Sequence, residues 1–298
     1  IPLGGTPLLR RGASMPPENL RTSVRRAAEA IGKVIAAGHD VVVPHGNGPQ
    51  VGLMALQDMA YDATLASPID VLGAETEGMI GYLIEQELGN VLPAGSEIAT
   101  LLTRVEVDAS DPAFQNPSKP IGPQYGKKEA QAQAARSGWT MMPDGSHFRR
   151  VVPSPSPRRI LEIGVIRLLI KHRVTVICTG GGGIPVVVRK DGGHVGIEAV
   201  IDKDHSSGLL AQQIGADALL LLTDVDGLYL GRGTAQQQRI ADIQPAELKT
   251  YSFANGSMAP KVQAAMDFAS VAGHMTGIGR LEDALEILNH RAGTTVRL

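Results

Sequence analysis

Cysteine is nearly absent from this chain of 298 residues: Cys178 stands alone, which excludes an intrachain disulfide. That usage fits a reducing compartment and makes the cytoplasm the expected location. No run approaches the length of about 18 apolar residues that a spanning helix needs, so no membrane partner is expected. Charge of one sign is missing too. The formal net charge is −2, from 28 basic and 30 acidic residues, and no like-charged block exceeds a few positions. Duplex nucleic acid is therefore not a favoured partner. Eight histidines show neither an H-E-x-x-H motif nor paired metal-ligand spacing, and no protein metal ligand is named. No G-x-x-x-x-G-K-[ST] loop occurs, and a dinucleotide fingerprint starting in "GGGGIPVV" fails at Pro185. The chain opens on Ile1, so a removed targeting peptide stays open.

What is present is ordinary globular material, 43% hydrophobic and 19% charged. Short β-branched runs alternate with helical patterns. Val41–Val43, Val174–Cys178 and Leu219–Leu222 are nearly continuous apolar runs, the pattern of parallel strands covered on both faces. Leu20–Ala37, Glu75–Leu88, Ile160–Lys171, Ser206–Ile214 and Lys261–Ala272 carry apolar residues at helical spacing. The class is α/β. Residues 112–157 break this rhythm with 8 of the 19 prolines and the lone Trp139. Only Lys127–Ser137 within them looks helical, and the proline density argues against central strands. With Phe114, Tyr125, Trp139 and Phe148 as a small core, the segment reads as an ordered lid inserted in a single domain spanning 1–298.

Ligands of parallel α/β sheets bind beyond the carboxyl ends of the strands. "HGNGPQVG" at 45–52 follows such a strand. Glycine allows close backbone approach, and a following helix offers unpaired N–H groups to an anion. The loop reads as a cradle for something small and negative; the plainer alternative is a tight strand-to-helix turn. Gly180–Gly183 repeats the logic for a phosphate or nucleotide, and Gly4-Gly5 reads as a third glycine loop. Lys119 in "NPSKPIG", Lys203 in "AVIDKDHSSG" and Lys261 in "NGSMAPK" lie among loop-forming residues, unlike most solvated lysines. Two unit charges about 4 Å apart interact by roughly 4 kcal/mol at an effective dielectric near 20. Two or three such lysines can dominate stabilisation of a transferring phosphoryl group. Asp204 either orients them or caps the helix near Ser206. His45 and Cys178 read as structural, and Asp224 and Asp226 as either nucleotide neighbours or a turn.

Together "HGNGPQVG", "NPSKPIGP", "RRVVPSPSPRRI", "GGGGIPVV", "EAVIDKDHSS", "ADALLLLTDVDGLY" and "GSMAPKVQAA" resemble the carbamate kinases of the amino acid kinase superfamily, in family order from residue 45 to residue 265. The resemblance implies an open αβα sandwich with a mainly parallel sheet of about eight strands, a protruding lid and a homodimer. It implies the reversible reaction of ATP and carbamate to ADP and carbamoyl phosphate, with Mg²⁺ accompanying the nucleotide, and a direction towards ATP synthesis. It assigns Lys203 and Lys261 to the phosphoryl group, Asp204 to organising them and Lys119 to the lid. Gly4, Gly5, Thr6, Gly46, Asn47 and Gly48 then face the acceptor. Gly181, Gly182, Thr223, Asp224, Val225, Tyr229 and Met258 fall to the nucleotide. One position departs: Thr6 stands where the family has asparagine. Loss of one preorganised donor typically costs on the order of 10²–10³ in rate. Two rivals therefore stay open, a related kinase with a changed acceptor and a non-catalytic nucleotide or carbamoyl phosphate sensor.

Overall fold

The computed structural model describes residues 1–4, 17–62, 64–231, 237–251, 253, 258–271 and 273–298. Gly5 and Thr6 lie outside the described residues. The chain runs α1 (Pro17–Ala36), β1 (Val42–Val43), α2 (Gly48–Tyr61), α3 (Ile69–Val91), β2 (Ile98–Thr100) and β3 (Arg104–Val107). Then come β4 (Lys119–Tyr125), α4 (Lys127–Ser137), β5 (Met141–Asp144), β6 (His147–Val152), β7 (Pro157–Ile160) and α5 (Ile163–Lys171). These lead to β8 (Thr175–Ile177), β9 (Ile184–Val188), β10 (His194–Gly196), α6 (Lys203–Ile214), β11 (Ala218–Thr223) and β12 (Leu228–Leu230). The chain closes with β13 (Gln238–Ile240), β14 (Asp242–Ile243), α7 (Pro245–Leu248), α8 (Met258–Ala269), β15 (Met275–Arg280), α9 (Ala284–Leu288) and β16 (Thr294–Val296).

Side chains alternate across a strand, so a strand that is apolar throughout must be covered twice. Strand β11 shows this directly. Leu220 and Leu222 join one core with Val24, Ile31, Ile80 and Ile84, from α1 and α3. Leu219 and Leu221 join another with Val262, Ala265 and Phe268 of α8. Strand β8 divides the same way, Ile177 on the α1/α3 side and Val176 with Cys178 on the other. This is a three-layer αβα arrangement. Its central ladders are parallel, β1–β8–β2 and β11 beside β15, while β16 pairs antiparallel with β15 and parallel with β14. A further ladder, β10–β9–β3–β7, joins β3 and β9 in parallel. Leu3 bridges His45 in parallel beyond β1 and shares the core of Leu220 and Leu222.

Helix α1 forms because Leu20, Val24, Ala27, Ile31 and Val34 recur three and four apart, placing one stripe against α3. Helix α5 starts at Ile163 rather than Ile160, because Ile160 ends the antiparallel strand β7. Helix α6 starts earlier than Ser206, at Lys203, with Asp202 as its N-cap accepting from the Asp204 N–H at 2.9 Å. Lys261 lies one turn inside α8, which begins at Met258.

The proline-rich segment does form strands. Its three-stranded antiparallel sheet has the order β4–β6–β5. Pro120, Pro123 and Pro143 all lie on its two edge strands, where a missing donor is tolerated, and the central β6 has none. Tyr125 pairs across to Phe148, and the Arg150 guanidinium stacks 4.1 Å over the Trp139 ring. Phe114, expected in this small core, instead packs against the main-domain core of Val105 and Ile166.

Candidate active site

Strand β1 runs into His45–Gly48 and its parallel neighbour β8 into Gly180–Gly183, while β11, parallel to β15, ends at Thr223. Across them run the first turns of α6 and α8, which bring Lys203, Asp204 and Lys261 together. Lys203 Nζ lies 2.5 Å from Asp204 Oδ1, and Lys261 Nζ lies 3.0 and 2.9 Å from its two oxygens. A Cβ on Gly4 would sit 3.1 Å from Lys203 Cε and 3.8 Å from Lys261 Nζ; one on Gly46 would sit 3.3 Å from Lys203 Cδ. The Lys203 side chain thus lies against both loops, and glycine leaves it room. The Gly46 N–H is already bonded to the Leu3 carbonyl at 2.9 Å. The donors the loop offers come later. Helix α2 begins at Gly48 with no side-chain cap from Asn47, so the Gly48 and Gln50 N–H groups lack intrahelical partners.

Burial opposes charge on all three grouped side chains, and for Asp204 and Lys203 the ion pairs outweigh it. The two lysines hold the Asp204 carboxyl below its usual value although burial pushes it up. Burial also lowers Lys203, yet Asp204 and Asp202 outweigh it and keep its ammonium firmly protonated. Lys261 goes the other way: burial first, and repulsion from Lys203 next, bring it down to about 8. The cluster is a carboxylate between two ammoniums, a net positive charge in a largely water-free place.

Lys119, at the start of β4, reaches this cluster through a residue that sequence reasoning passed over. Its Nζ lies 2.5 Å from Asp202 Oδ2, while Asp202 Oδ1 caps α6 through the Asp204 and His205 N–H groups. Burial raises the Asp202 carboxyl, but Lys119, Lys203 and His205 together hold it well below the carboxylate range. Capping, assigned in the sequence to Asp204 as one alternative, belongs to Asp202. The signal was legible: an Asp directly before a helix.

Gly181 and Gly182, expected beside the nucleotide, sit in a turn held by the protein's own groups. All four N–H groups of the turn bond internally: Gly180 to Glu77 Oε1 at 2.6 Å, Gly181 to the His45 carbonyl at 2.7 Å, Gly182 to Thr179 and Gly183 to Gly180. None is left to a phosphate. A Cβ on Gly181 would fall 2.3–2.5 Å from the Asn47 amide, and one on Gly182 would fall 2.5 Å from the Ile201 carbonyl. The turn is glycine because it is packed against the His45–Gly48 loop. Asn47 is further fixed by donating to Thr76 Oγ1 at 2.8 Å.

Glu77, also missed, is wholly buried on α3 and accepts from the N–H groups of Gly180 and Thr103. It falls on the stripe that includes Ile80 and Ile84, so its burial could be read from spacing. Burial drives its carboxyl up to about 8, against the two N–H bonds. His45 beside it is neutral, brought down to about 4 by burial, in keeping with a structural role. Between pH about 4.5 and 8 the folded state holds a proton at Glu77 that the unfolded state has released. Stability from this group therefore falls as pH rises through that window. Glu77→Gln should flatten that slope, read from urea midpoints at pH 5, 6.5 and 8.

The remaining candidates line the end of β11. Thr223 Oγ1 donates to Asp224 Oδ1 at 3.0 Å, and the Tyr229 hydroxyl donates to Asp226 at 2.9 Å. Val225 lies between these residues, half-buried. Met258 packs on the core that holds Leu228 and Phe268, three residues before Lys261 and so on the same face of α8. One helix therefore links the expected nucleotide segment to the lysine cluster. Among the described residues no group of three or more His, Cys, Asp or Glu could hold a metal ion.

The model of the amino acid kinase family matches residues 1–278. A carbamate kinase of Haemophilus influenzae is 50% identical over 296 residues, covering 99% of this chain and 95% of that protein. The chain belongs to the carbamate kinases, within the amino acid kinase family. A solved carbamate kinase from Giardia lamblia bound to citric acid superposes with a TM-score of 0.93 at 39% identity, covering 99% of this chain and 96% of that one. The Giardia lamblia enzyme bound to AMP-PNP gives 0.89 at the same identity and coverage. The family fold and kinase class expected from the motifs are thus established.

Proposed function

We propose that the chain catalyses Mg²⁺-dependent, reversible phosphoryl transfer between ATP and carbamate, running towards ATP from carbamoyl phosphate and ADP in the cytoplasm. The observation that carries this is the buried Lys203–Asp204–Lys261 cluster, set beside the Gly48 helix start and joined to Lys119 through Asp202. Carbamate oxygen is already anionic, so the acceptor needs no general base. The work left to the protein is alignment and charge stabilisation. Gly4, Gly46, Asn47 and Gly48 position the acceptor. Lys203 and Lys261 face the transferring group, and Asp204 keeps them in register. Gly181, Gly182, Thr223, Asp224, Val225, Tyr229 and Met258 bound the nucleotide, and Gly181 also packs against the Asn47 amide.

The donor set fits a magnesium ion that arrives with the nucleotide, because Asp202 and Asp204 are both engaged by lysines. Such an ion offsets charge on the phosphate oxygens, held by them and by water. Segment 112–157 serves as the lid, carrying Lys119. Lys119→Ala should slow turnover and also raise the KM for carbamoyl phosphate. Met79 and Tyr82 are exposed one turn apart on α3, and Leu102 is exposed beside Gly78; this apolar patch supports a homodimer contact there. No helix among the described residues is long and apolar enough to cross a membrane.

The test is ATP formation from ADP and carbamoyl phosphate with Mg²⁺, coupled to hexokinase. Robust formation supports the assignment. Absence of ATP with nucleotide binding intact in calorimetry overturns it in favour of a changed acceptor or a sensor.

A further inference from the structure

The acceptor loop and the lid lysine belong to elements distant in sequence, yet one contact registers them. Strand β4 lies along the first turns of α2. A Cβ on Gly48 would sit 3.8 Å from the Pro120 carbonyl, and one on Gly52 would sit 2.1 Å from the Gly122 nitrogen and 2.2 Å from its Cα. Four helical residues rise about 6 Å and two strand residues about 6.6 Å, so the two contacts stay in step along both elements. Between them Val51 and Ile121 are both fully buried in one cluster with Leu72 and Val152. From the other side Arg149 donates through Nε and Nη2 to the Gly122 carbonyl at 3.1 and 2.7 Å. Gly122 has φ +69°, which fits glycine for its own backbone reasons. Gly52 has no such need. It sits inside a helix with an ordinary φ, where alanine is the better former. Only the approach of β4 explains a glycine there.

We propose that Gly52 is a positioning residue for the reaction: its bare Cα is the seat on which β4 docks, placing Lys119 at the acceptor end of α2. This rests on the phosphoryl-transfer reading given above. Lys119 is three residues from Gly122 along β4, and the acceptor loop runs directly into α2, so the seat fixes the distance between them. A methyl group at Gly52 meets backbone rather than a side-chain end that can swing away, and β4 must retreat by upward of about 1 Å. Misplacement of about 1 Å can cost on the order of 10²-fold in rate.

The experiment is Gly52→Ala on the full chain, with Lys119→Ala, the double variant, and Gly89→Ala as control. Gly89 is an exposed helical glycine of α3 with open space around it. Expected for Gly52→Ala is a loss of about 10²-fold in kcat/KM for carbamoyl phosphate. Its KM for ADP should be unchanged and its unfolding should remain a single cooperative transition. The double variant should fall no further than Lys119→Ala alone, because both lose the same lysine's placement. Amide exchange in residues 119–125 should accelerate in Gly52→Ala and not in Gly89→Ala. Wild-type kinetics in Gly52→Ala, losses that add in the double variant, a loss of cooperative unfolding with both KM values shifted, or unchanged exchange at 119–125 would each overturn the proposal. Should the wild-type chain form no ATP at all, the functional reading fails by itself, and the exchange comparison still decides whether Gly52 seats β4.

Discussion

Lys203→Ala should lower turnover at least about 10²-fold in either direction of the reaction while leaving the fold intact. Lys203 is the lysine most firmly held in its charged form, and its side chain lies against Gly4 and Gly46, the loops assigned to the acceptor. A preorganised cation in a dry site is worth far more than one in water, because its neighbours are oriented before charge develops. Removing it should leave the protein folded, since Asp204 keeps both bonds to Lys261 and alanine suits the first turn of α6. Arginine should not restore activity: the Gly4 and Gly46 backbones leave no space for a planar fork beside Asp204. The readouts are initial rates of ATP formation and a circular dichroism melt. Unchanged turnover in Lys203→Ala would remove the lysine from the mechanism.

The second large effect belongs to Asp204→Asn, and it should appear in stability as well as rate. The carboxylate is almost completely buried between two ammoniums. An amide of the same shape keeps the packing and deletes the charge that bridges them. Breaking a buried ion pair from one side typically costs about 3–5 kcal/mol, because the partner charge is left uncompensated. Lys261, already down at about 8, should then lose its proton at still lower pH. Its charged form is the one a phosphoryl group needs, so the alkaline limb of kcat/KM should move to lower pH in Asp204→Asn. That limb reports the free enzyme. Urea unfolding and a pH–rate profile check both parts. A variant with wild-type stability and an unmoved limb would show that Asp204 does not hold the lysines.

The sequence made some of this plain, for identifiable reasons. Runs such as Leu219–Leu222 announced strands covered on both faces, and the alternation of Leu220 with Leu221 between two cores is what such a run requires. Lys119, Lys203 and Lys261 could be picked out because each sat among loop-forming residues. What stayed hidden depended on partners far along the chain. Nothing local in "GGGG" says that its N–H groups are spent on Glu77 and His45 rather than on a ligand. Asp202 was visible as a helix cap, but its second oxygen meets a lysine 83 residues away. The prolines of 112–157 argued against strands and were overridden because all the strand prolines fall on edges, a matter of strand order that composition does not carry.

Asp202 has one more consequence. Its Oδ1 starts α6 and its Oδ2 receives Lys119, so the two attachments share a side chain without sharing an atom. Withdrawal of the Lys119 side chain would break an ion pair and leave the α6 cap whole. Lys203 and Asp204, the next two residues, would therefore keep their positions while products leave. On the proposed reading, the contact that would open to admit ligands and the helix start that would hold still thus separate at a single carboxylate, and each new round would begin with the lysine cluster already assembled.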